Sequence, residues 1–463
     1  MRLYNSLSRE IEEVVPVEPG HVRIYSCGPT VYRYAHLGNL RTFMLADLIR
    51  RALELEGLRV TQIMNITDVG HMTDESSPEA VDKMLLAVED EDMSALEIAE
   101  KYTQAVFADA ERLGIRPADR YPKATEHIDE MIELTQALIE RGHAYAVDSG
   151  SVYYDVASFP GYGKLSGNTL ENLKPGHRDL ETDTRKRHHA DFALWKAAGP
   201  GRVMKWDSPW GPGFPGWHIE CSAMSMKYLG DRFDIHTGGT DLRFPHHEDE
   251  IAQSEGAVGH PVVAVWIHGG HLRLSGQKIA KSTGNVVTVQ DLVERGMDPL
   301  SFRWLAFQTQ YRSEMDFSWD AMEAADQRVK QLRHRMTAWG PAAEAFDAAA
   351  TSFDARFREA VANDLHMPGA VAVVNELASS SDVPDGQKYA LLVAWDHVLG
   401  LDIEREATAG WEPTDEIRAL VAERDAARAT KDYAASDQLR DRLAAMGLEV
   451  MDTPEGTRVR PRS

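Results

Sequence analysis

The stretch HVRIYSCGPTVYRYAHLGNLRTFMLADLIRRALELEGLRVTQIMNIT, residues 21–67, decides the fold of this chain. Residues 22–27 are a short apolar run, which predicts a buried strand, and residues 60–67 predict a second strand. Between them, residues 36–57 carry apolar side chains at helical spacing and end on a glycine in C-cap position. A strand, a helix and a strand in this order predict a βαβ unit, with parallel strands and a ligand crevice at their carboxyl ends.

Three polar or small residues, His36, Gly38 and Asn39, stand at the start of this helix and therefore at the edge of the predicted crevice. A helix N-terminus beside a glycine favours anions such as phosphate. An ordinary capped helix without a ligand is the commoner explanation of such a start, so these residues alone do not decide between the two.

Only two cysteines, Cys27 and Cys221, occur in the chain. After Cys221 comes an acidic segment in which a helix beginning near Pro245 would place His246 and Glu250 on one face. Thiolate, imidazole and carboxylate are the ligand types of a zinc site, and Cys27 could supply the fourth ligand. No local Cys-x-x-Cys pair fixes such a site, so two buried free thiols and a solvated acidic helix explain the same residues.

Further along the chain, FDIHTGG (233–239) and VVAVWIHGG (262–270) predict more buried strands with polar or glycine residues at their ends. The mixed segment between the two groups of strands is best interpreted as an insertion. LSGQKIAKSTGN (274–285) then predicts a flexible loop, whose Lys278 and Lys281 could clamp a triphosphate by stabilising its charge. Two lysines are weak evidence when taken alone, because surface lysines are common.

Composition sets limits on the class of protein. Hydrophobic content of 43% and charged content of 27% are those of an ordinary globular protein, and no apolar run is long enough to span a membrane. The N-terminus has no signal-peptide core, and two distant cysteines give no disulfide framework, so we expect a cytoplasmic protein. The net charge of −23 argues against a general nucleic-acid binder but not against binding on a local basic patch.

The last part of the chain offers such a patch. Residues 320–405 are Ala-rich with helical periodicity, which predicts a bundle. Two more helices and a short strand follow after residue 415. The tail then carries Arg458, Arg460 and Arg462 with no acid after Glu455, a candidate contact for phosphate.

Seven motifs, spread over nearly the whole chain, resemble those of one family. They are YSCGPTVYRYAHLGNLRT (25–42), NITDVGHMTDE (65–75), DFALWK (191–196), PGWHIECSAMS (215–225), DIHTGGTDLRFPHHEDEIAQSE (234–255), GQKIAKSTGN (276–285), and KDYAASDQLRDRL with GLEVMDTPEGTRVR (431–460). With these motifs the chain resembles the cysteinyl-tRNA synthetases, which are class I aminoacyl-tRNA synthetases.

The resemblance implies a role for each matching residue. The zinc ligands would be Cys27, Cys221, His246 and Glu250. Binding of ATP would fall to His36, Gly38 and Asn39 of a His-Leu-Gly-Asn signature, to Lys278 and Lys281 of a Lys-Ile-Ala-Lys-Ser loop, and to Gly238, Gly239 and Asp241 on the adenosine side. The cysteine pocket would be lined by Thr67 and Trp217. His36, Asn39, Lys278 and Lys281 would act in catalysis.

Three departures from the family pattern stand out. Asn39 replaces the second histidine of the signature and keeps a hydrogen-bonding amide without a charge. Ala280 replaces the serine in the middle of the lysine loop, so one hydroxyl is lost and no charge, and we expect loop dynamics to change more than chemistry. Residues 362–370, ANDLHMPGA, also differ from the family, which leaves the tRNA contacts of the bundle open.

The implied fold is an α/β protein. It has a Rossmann-type parallel-sheet catalytic domain with an insertion, followed by a helical bundle and a small mixed C-terminal domain. The limits implied are 1–115 and 196–272 for the two catalytic halves, 116–195 for the insertion, 273–319 for a stem-contact fold with the lysine loop, 320–408 for the bundle and 409–463 for an anticodon-binding domain.

The implied activity is that of a monomeric cysteine–tRNA ligase with tRNA(Cys), cysteine and ATP with Mg²⁺ as substrates and one Zn²⁺ per chain. Zinc prefers soft sulfur to a hydroxyl, which would separate cysteine from serine without an editing domain. Two alternatives remain. One is a ligase that joins cysteine to an aminosugar-inositol, although similar enzymes lack the full anticodon end. The other is a catalytically silent RNA-binding paralogue, against which the intact ligands and lysines count.

Overall fold

The structure is a computed structural model of the 463-residue chain. It describes residues 1–70, 93–172, 185–199, 202–274, 277–278, 286–340, 345–405, 414–430, 432–446, 448–453 and 456–461. The strands are β1 (Arg2–Asn5), β2 (Glu10–Glu13), β3 (His21–Ser26), β4 (Arg59–Met64), β5 (Ala144–Ala146), β6 (Val152–Tyr154), β7 (Phe192–Ala197), β8 (Gly213–Pro215), β9 (Phe233–Gly239), β10 (Val263–Gly269), β11 (Leu272–Leu274), β12 (Gln277–Lys278), β13 (Met315–Phe317), β14 (Leu448–Thr453) and β15 (Gly456–Pro461). The helices are α1 (Leu37–Leu55), α2 (Ala95–Arg112), α3 (Ile128–Glu140), α4 (Trp217–Leu229), α5 (His246–Val258), α6 (Val289–Glu294), α7 (Ser301–Phe307), α8 (Trp319–Trp339), α9 (Ala348–Ala362), α10 (Met367–Ser379), α11 (Asp385–Leu399), α12 (Asp415–Ala429) and α13 (Tyr433–Ala445).

A four-stranded parallel sheet in the order β10-β9-β3-β4 is the centre of the fold. The predicted βαβ unit is confirmed, because β3 and β4 pair in parallel from His21↔Arg59 to Ser26↔Met64 with α1 between them. The predicted strand over residues 233–239 is β9, and the strand predicted over 262–270 is β10. Gly57 follows the end of α1 with a φ of +81°, a backbone conformation that favours glycine and ends the helix.

A network of buried charges fixes α1 within its surroundings. Asp47 accepts a hydrogen bond at 2.8 Å from Nε of Arg51, one turn along the helix, and another at 2.9 Å from Arg303 of α7. All three side chains are buried. Burial raises the pKa of Asp47, but the charges of Arg303 and Arg51 lower it more, so that it lies below its ordinary value. Asp47 is therefore ionised and joins α1 to α7.

A second sheet, antiparallel in the order β5-β6-β7-β8, follows α3. Its strands run from residue 144 to residue 215, so β8 lies beyond residue 195, in the sequence assigned to the second catalytic half. The domain limits inferred from the sequence remain a prediction.

A third, small sheet joins β12, β11 and β13 beside the end of β10. Helix α1 contacts this small sheet through Arg41, whose guanidinium donates hydrogen bonds to the carbonyls of Gly270 at 2.5 Å and Ser313 at 3.0 Å. Gly270 closes the same corner by donating its N–H to the carbonyl of Tyr311. These bonds connect α1 to the segment that leads into the lysine loop.

Asp364 holds the segment Glu359–Pro368 in the same compact unit as the parallel sheet. It is nearly fully buried, and its carboxylate accepts hydrogen bonds from the backbone N–H of Tyr4, the hydroxyl of Tyr311 and Nε of Arg312. Asp364 itself lies within residues 362–370, the stretch that differs from the family pattern. A buried charged anchor is therefore present in that stretch.

The second compact unit comprises Ala324–Arg358 and Gly369–Ser463. Its helices confirm the predicted bundle, in which Phe357 stacks on Trp395 at 4.4 Å between ring centroids. After the bundle come α12, α13 and the antiparallel hairpin β14–β15, as the fold class predicts. No helix among the described residues is both long and apolar enough to traverse a membrane.

Candidate active site

The crevice of the parallel sheet lies where β3 and β9 are neighbours. From β3 the chain continues to β4 on one side, and from β9 it continues to β10 on the other. Ligands of open α/β sheets bind at such a switch point, outside the carboxyl ends of the strands. Cys27 comes directly after β3, and Gly238 and Gly239 end β9, so residues predicted from distant parts of the sequence meet at this point.

Cys27, Cys221, His246 and Glu250 converge as the metal hypothesis expects. One ligand atom from each lies within 4.8 Å of the other three, and all four residues are buried. The two Sγ atoms are 3.8 Å apart, and Nε2 of His246 lies 3.0 Å from Oε1 of Glu250. Two sulfurs bound tetrahedrally at about 2.3 Å from a zinc ion would be about 3.8 Å apart. The donor set and its spacing therefore fit zinc.

The helix that carries His246 and Glu250 is not a solvated acidic helix. Residues from His246 to Ser254 of α5 are buried, including Glu248 and Asp249. Glu248 accepts backbone hydrogen bonds from Gly163 at 2.9 Å and Ser166 at 2.7 Å. The alternative that this acidic segment is a solvated helix without a ligand role is therefore wrong in its claim of solvent exposure.

The ionisable groups of the cluster have shifted pKa values. Burial lowers the pKa of His246, but the charge of Glu250 raises it more, to about 10. Burial raises the pKa of Glu250, but His236 and His246 lower it more, to about 2. Burial raises the pKa of the Cys27 thiol well above its ordinary value. A buried carboxylate and two buried thiols next to imidazoles are a site that a cation would stabilise.

A ring of histidines around the cluster was missed at the sequence level. Nδ1 of His218 lies 2.8 Å from Nδ1 of His246, and Nε2 of His236 lies 2.8 Å from Oε2 of Glu250. His247 contacts the Cys27 sulfur at 3.2 Å through Nε2 and His268 at 2.8 Å through Nδ1. A signal was present for His268, which interrupts a strand that is otherwise apolar. Such outer partners orient metal ligands.

A second, overlapping set of ligand atoms, Cys27, His236, His247 and Glu250, also lies within 4.8 Å. It shares Cys27 and Glu250 with the first set, so the two sets are alternatives. The second set contains one sulfur and would leave the buried thiol of Cys221 beside the ion without a role.

Thr67 and Trp217, the predicted cysteine-binding residues, both border the cluster. The Thr67 hydroxyl donates to Glu220 at 2.9 Å and accepts from the side-chain amide of Asn65 at 3.0 Å, and all three residues are buried. The Trp217 ring lies 4.5 Å from the ring of His246, between centroids. Glu220 and Asn65 are further polar residues that the sequence did not single out.

The signature residues form the N-terminus of α1. His36 is the N-cap. Its Nδ1 accepts a hydrogen bond from the backbone N–H of Asn39 at 3.1 Å, and Oδ1 of Asn39 accepts one from the backbone N–H of His36 at 3.3 Å. This capping box fixes both side chains. A Cβ on Gly38 would come within 2.9 Å of Nδ1 of His36, so glycine permits the ring to lie there.

The predicted adenosine-side residues lie at the end of β9. A Cβ on Gly239 would approach Oδ1 of Asp241 to 2.5 Å, and one on Gly238 would approach His247 to 2.6 Å. Asp241 is exposed at the crevice edge, with its carboxylate 4.0 Å from Nδ1 of His271. Both glycines therefore leave room that any side chain would fill.

Comparison with known proteins decides the family. The family model described as "tRNA synthetases class I (C) catalytic domain" matches residues 13–327. The family model described as "Cysteinyl-tRNA ligase anticodon binding domain" matches residues 412–460. A cysteine–tRNA ligase of Symbiobacterium thermophilum is 43% identical, with 99% of each chain covered, and one of Alkalilimnicola ehrlichii is 44% identical with the same coverage. The chain belongs to the cysteine–tRNA ligase family.

The fold agrees with this membership. Mycobacterium tuberculosis methionyl-tRNA synthetase, solved in complex with methionyl-adenylate, matches with a TM-score of 0.56 at 15% identity, over 86% of this chain and 96% of the other. As a cysteine–tRNA ligase family member, the chain is a class I aminoacyl-tRNA synthetase whose substrates are tRNA, cysteine and ATP. Its buried Cys/His/Glu cluster could hold a metal ion.

The lysine loop of this cysteine–tRNA ligase family member can be followed only in part. Gln277 and Lys278 form β12, which pairs antiparallel with β11 through Arg273↔Lys278. Lys281, Ala280 and Ser282 lie outside the described residues, and so does Arg462. Arg458 and Arg460 lie on β15. The structure therefore brings the four ligands close to the two pocket residues, places the signature at the N-terminus of α1, and places the start of the lysine loop beside β11.

Proposed function

We propose that this chain activates cysteine with ATP and transfers it to the 3′ end of tRNA(Cys), and that a zinc ion selects the cysteine side chain. The observation that carries the proposal is the buried convergence of Cys27, Cys221, His246 and Glu250 at the switch point of the sheet. An apolar pocket separates near-isosteres such as cysteine and serine poorly, whereas a thiophilic metal separates them by chemistry.

The four converging residues are the proposed zinc ligands, with one ion per chain. Two sulfurs, one nitrogen and one oxygen are ligand types that zinc takes in proteins. His218, 2.8 Å from His246, would hold the ligand ring from behind, and His236 would do the same for Glu250. When bound, the ion would supply a Lewis acid that holds the substrate sulfur as thiolate.

Thr67 and Trp217 are proposed to shape the cysteine pocket. Trp217 is half-buried against the ring of His246, so its indole can form one wall. The Thr67 hydroxyl is held by Glu220 and Asn65, which fixes its direction. Glu220 is buried, and its carboxylate can in turn face the substrate ammonium group. These contacts would orient the cysteine carboxylate towards ATP.

ATP, entering with Mg²⁺, is proposed to bind across the N-terminus of α1. The exposed Asn39 amide and His36 imidazole would meet the phosphates, Gly38, Gly238 and Gly239 would let the nucleotide approach the backbone, and Asp241 would bind on the adenosine side. Lys278 and Lys281 would stabilise the charge that develops as pyrophosphate leaves.

The reaction then has two steps. A carboxylate oxygen of cysteine attacks the α-phosphorus of ATP, the bond to pyrophosphate breaks, and cysteinyl-adenylate forms. The 3′-terminal ribose hydroxyl of the tRNA next attacks the carbonyl carbon, and AMP leaves. The protein contributes positioning and charge stabilisation in both steps.

We infer that the enzyme is a monomer acting in the cytoplasm. Two free thiols 3.8 Å apart suit a reducing compartment or a bound metal. The proposed domain limits are those inferred from the sequence. The C-terminal domain from residue 409 would read the anticodon, with Arg458, Arg460 and Arg462 as contacts for phosphate.

The aminosugar-inositol ligase shares the same active-site residues and is the second candidate. The match of residues 412–460 to an anticodon-binding domain disfavours it, because that reaction needs no tRNA. A silent RNA-binding paralogue is disfavoured by the complete ligand set.

One assay tests the proposal. Purified protein is incubated with radiolabelled cysteine and ATP, with either tRNA(Cys) or the aminosugar-inositol as acceptor, and its metal content is measured in parallel. We expect cysteinylated tRNA, no amide product with the sugar, and about one zinc per chain. Amide product without tRNA charging would overturn the proposal, and charging by metal-free protein would overturn the role of zinc.

A further inference from the structure

The helix that carries two of the proposed metal ligands, α5, is also bound by a segment from another part of the chain. Residues 159–168, between β6 and β7, present three backbone N–H groups to the fully buried side chain of Glu248. Its Oε1 accepts hydrogen bonds from Gly163 at 2.9 Å and Leu165 at 3.4 Å. Its Oε2 accepts one from Ser166 at 2.7 Å. We call Glu248 and these three amides the amide clamp.

The amide clamp lies on the side of α5 that points away from the metal cluster. Glu248 comes two residues after His246 and two before Glu250. At about 3.6 residues per turn, this spacing places Glu248 about 160° round the helix from each ligand. On the other side, His246 and Glu250 meet Cys27 and Cys221. The helix is therefore fixed between the clamp and the two cysteines.

Further bonds fix the segment that supplies the three amides. The hydroxyl of Tyr162 donates to Oδ1 of Asp249 at 2.5 Å. The guanidinium of Arg243 donates to the carbonyl of Leu165, from Nε at 3.1 Å and from Nη2 at 2.9 Å. Tyr162, Asp249 and Leu165 are buried. The donors of the clamp are therefore held in a defined direction.

Moving α5 would break the bonds of the clamp. A carboxylate forms stronger hydrogen bonds with N–H groups than a neutral acceptor does. A buried donor that is left without an acceptor is strongly destabilising. Metal–ligand distances, in turn, tolerate deviations of only about 0.2 Å. A helix fixed in this way can therefore keep its two ligands at distances that a metal ion accepts.

We propose that Glu248 is a positioning residue of the metal site, which holds α5 so that its two ligands meet the two cysteines at the spacing that a zinc ion requires. The proposal rests on the proposed function, in which zinc selects cysteine. Glu248 acts through the helix and is not itself a ligand. The affinity for zinc, and with it the affinity for the cysteine side chain, then depends on residues 159–168 between two strands of the second sheet.

A purely structural role for Glu248 is the alternative. Loss of the clamp would then lower the stability of the chain, but the protein that remains folded would bind zinc as tightly as before. A positioning role predicts that the folded protein binds the metal more weakly and with altered geometry. Zinc affinity and the visible absorption of Co²⁺ bound in the same site distinguish the two roles, because that absorption depends on coordination geometry.

The test removes the clamp from each side in the full-length protein. Glu248→Gln replaces one acceptor oxygen by an NH₂ group, which cannot accept a hydrogen bond. Gly163→Ala leaves the sequence of α5 intact and displaces an amide of the segment. The displacement is expected because Gly163 has a φ of +95° and a Cβ there would come 2.7 Å from the carbonyl oxygen of Asn168.

We expect both variants to bind zinc about 10- to 100-fold more weakly in competition with a chelator, the usual scale for losing a residue that orients a ligand. The Co²⁺ spectrum should change in both. The KM for cysteine should rise, whereas the KM for ATP should stay close to the wild-type value. The double variant should lose little more affinity than the weaker single variant, because both changes break the same bonds.

Two matched controls leave the clamp in place. Gly150→Ala introduces similar strain in the turn between β5 and β6, since Gly150 has a φ of +88° and a Cβ there would come 2.6 Å from the carbonyl oxygen of Trp210. Glu255→Gln removes an ion pair of 2.5 Å between α5 and Lys164 but none of the three amide bonds. Both controls should bind zinc with close to wild-type affinity.

The outcomes separate the clamp from the proposed function. Wild-type zinc affinity in Glu248→Gln and Gly163→Ala, with only a lower melting temperature of the zinc-free protein, would show a purely structural role and overturn the proposal. Equal losses in Gly150→Ala and Gly163→Ala would also overturn it, because any strain in this region would then suffice. If Glu248→Gln does not fold, the comparison of these two glycine variants decides. A wild-type protein that binds no zinc would refute the role of zinc in the proposed function, and the clamp with it.

Discussion

Sγ of Cys27 and Sγ of Cys221 lie 3.8 Å apart, although 194 positions separate the two residues in the chain. Cys27 follows a strand of the first half of the sheet, and Cys221 lies on α4, which precedes the second half. The pair forms only when the two halves of the parallel sheet are assembled. A metal ion bound by both cysteines would therefore link the two halves and stabilise the fold.

Zinc content tests this relationship. We expect about one zinc per chain in the purified protein, and Cys221→Ala should lose most of it, because one of two thiolate ligands is removed. His246→Asn should lose zinc to a similar extent, whereas His236→Asn should retain more, since His236 is proposed to act on Glu250 from outside the ligand set. Metal analysis after dialysis gives the ratio of zinc to protein. If His236→Asn loses zinc and His246→Asn keeps it, the alternative ligand set is the correct one.

Gly38 should be required for adenylation. A Cβ there would come 2.9 Å from Nδ1 of His36, so Gly38→Ala should displace the imidazole or open the capping box with Asn39. Misplacement of a positioning group by about 1 Å can reduce the rate on the order of 100-fold. Cysteine-dependent ATP–pyrophosphate exchange measures the loss. Gly199→Ala is the control, because a Cβ at Gly199 would meet nothing within 4 Å and the backbone there is unstrained. Equal rates for the two variants would contradict a role for the close contact.

Asp47 should contribute to the stability of the fold and not to catalysis. Asp47→Asn leaves Arg303 and Arg51 buried without their counter-charge, which should lower stability by about 3–5 kcal/mol. Glu54→Gln, at a partly exposed pair with Arg116, should cost less than about 1 kcal/mol. Differential scanning calorimetry compares the melting temperatures of the two variants.

The Asp47 effect should also depend on pH. The pKa of folded Asp47 is lowered by its arginines, against burial, so its stabilisation is present above the unfolded value of about 3.9. That stabilisation is lost as the pH falls through the lower folded pKa. The difference in melting temperature between the wild type and Asp47→Asn should therefore be constant near neutral pH and narrow below about pH 4. A difference that widens in acid would mean that the carboxylate is not the source.

Much of this architecture can be predicted from the sequence, and the reasons differ from residue to residue. The βαβ unit of residues 21–67 follows from apolar periodicity, since both the helix and the strands bury a face. His246 and Glu250 follow from their spacing of four on one helix. Their ligand types made a shared site for Cys27 and Cys221 one of two open explanations, and only the resemblance favoured it, because a contact between distant residues leaves no local pattern.

Other parts of the site could not be predicted in the same way. Burial of α5 depends on the segment around Gly163 and Ser166, whose amides bind Glu248, and nothing near α5 in the sequence announces that partner. His218 and His236 look like isolated residues until the fold brings them to the ligands.

The lysine loop should serve the transition state of adenylation more than substrate binding. Lys281→Ala should lower cysteine-dependent ATP–pyrophosphate exchange on the order of 100-fold or more, the usual scale for losing a charge stabiliser. The affinity for cysteine should barely change, because the lysine is proposed to act on the phosphates. Lys330→Ala, at a half-exposed lysine paired with Asp326 on α8, is the control and should exchange at the wild-type rate. If Lys281→Ala also exchanges at that rate, the loop has no part in adenylation.

The C-terminal domain should separate the two steps of the reaction. Residues 412–460 match an anticodon-binding domain, and Arg458 and Arg460 lie on β15 of its hairpin. Because adenylation needs no tRNA, deletion of the chain from about residue 410 should leave pyrophosphate exchange near normal. Cysteinylation of tRNA should fall steeply, through a higher KM for tRNA.

The salt dependence of tRNA binding tests whether the arginines of the C-terminal tail contact phosphates. With a net charge of −23, the protein can hold tRNA only through local cationic surfaces, so binding by the full chain should weaken with salt along a modest slope. Each neutralised phosphate contributes roughly −0.7 to −0.9 to that slope. Arg458→Gln and Arg460→Gln should each reduce it by about one such step if their guanidinium groups contact phosphates, whereas an unchanged slope would place the contacts elsewhere. If the truncated protein charges tRNA as well as the whole chain does, the tail does not read tRNA. The aminosugar-inositol acceptor would then have to be tested again, because the one feature that disfavours it would have lost its function.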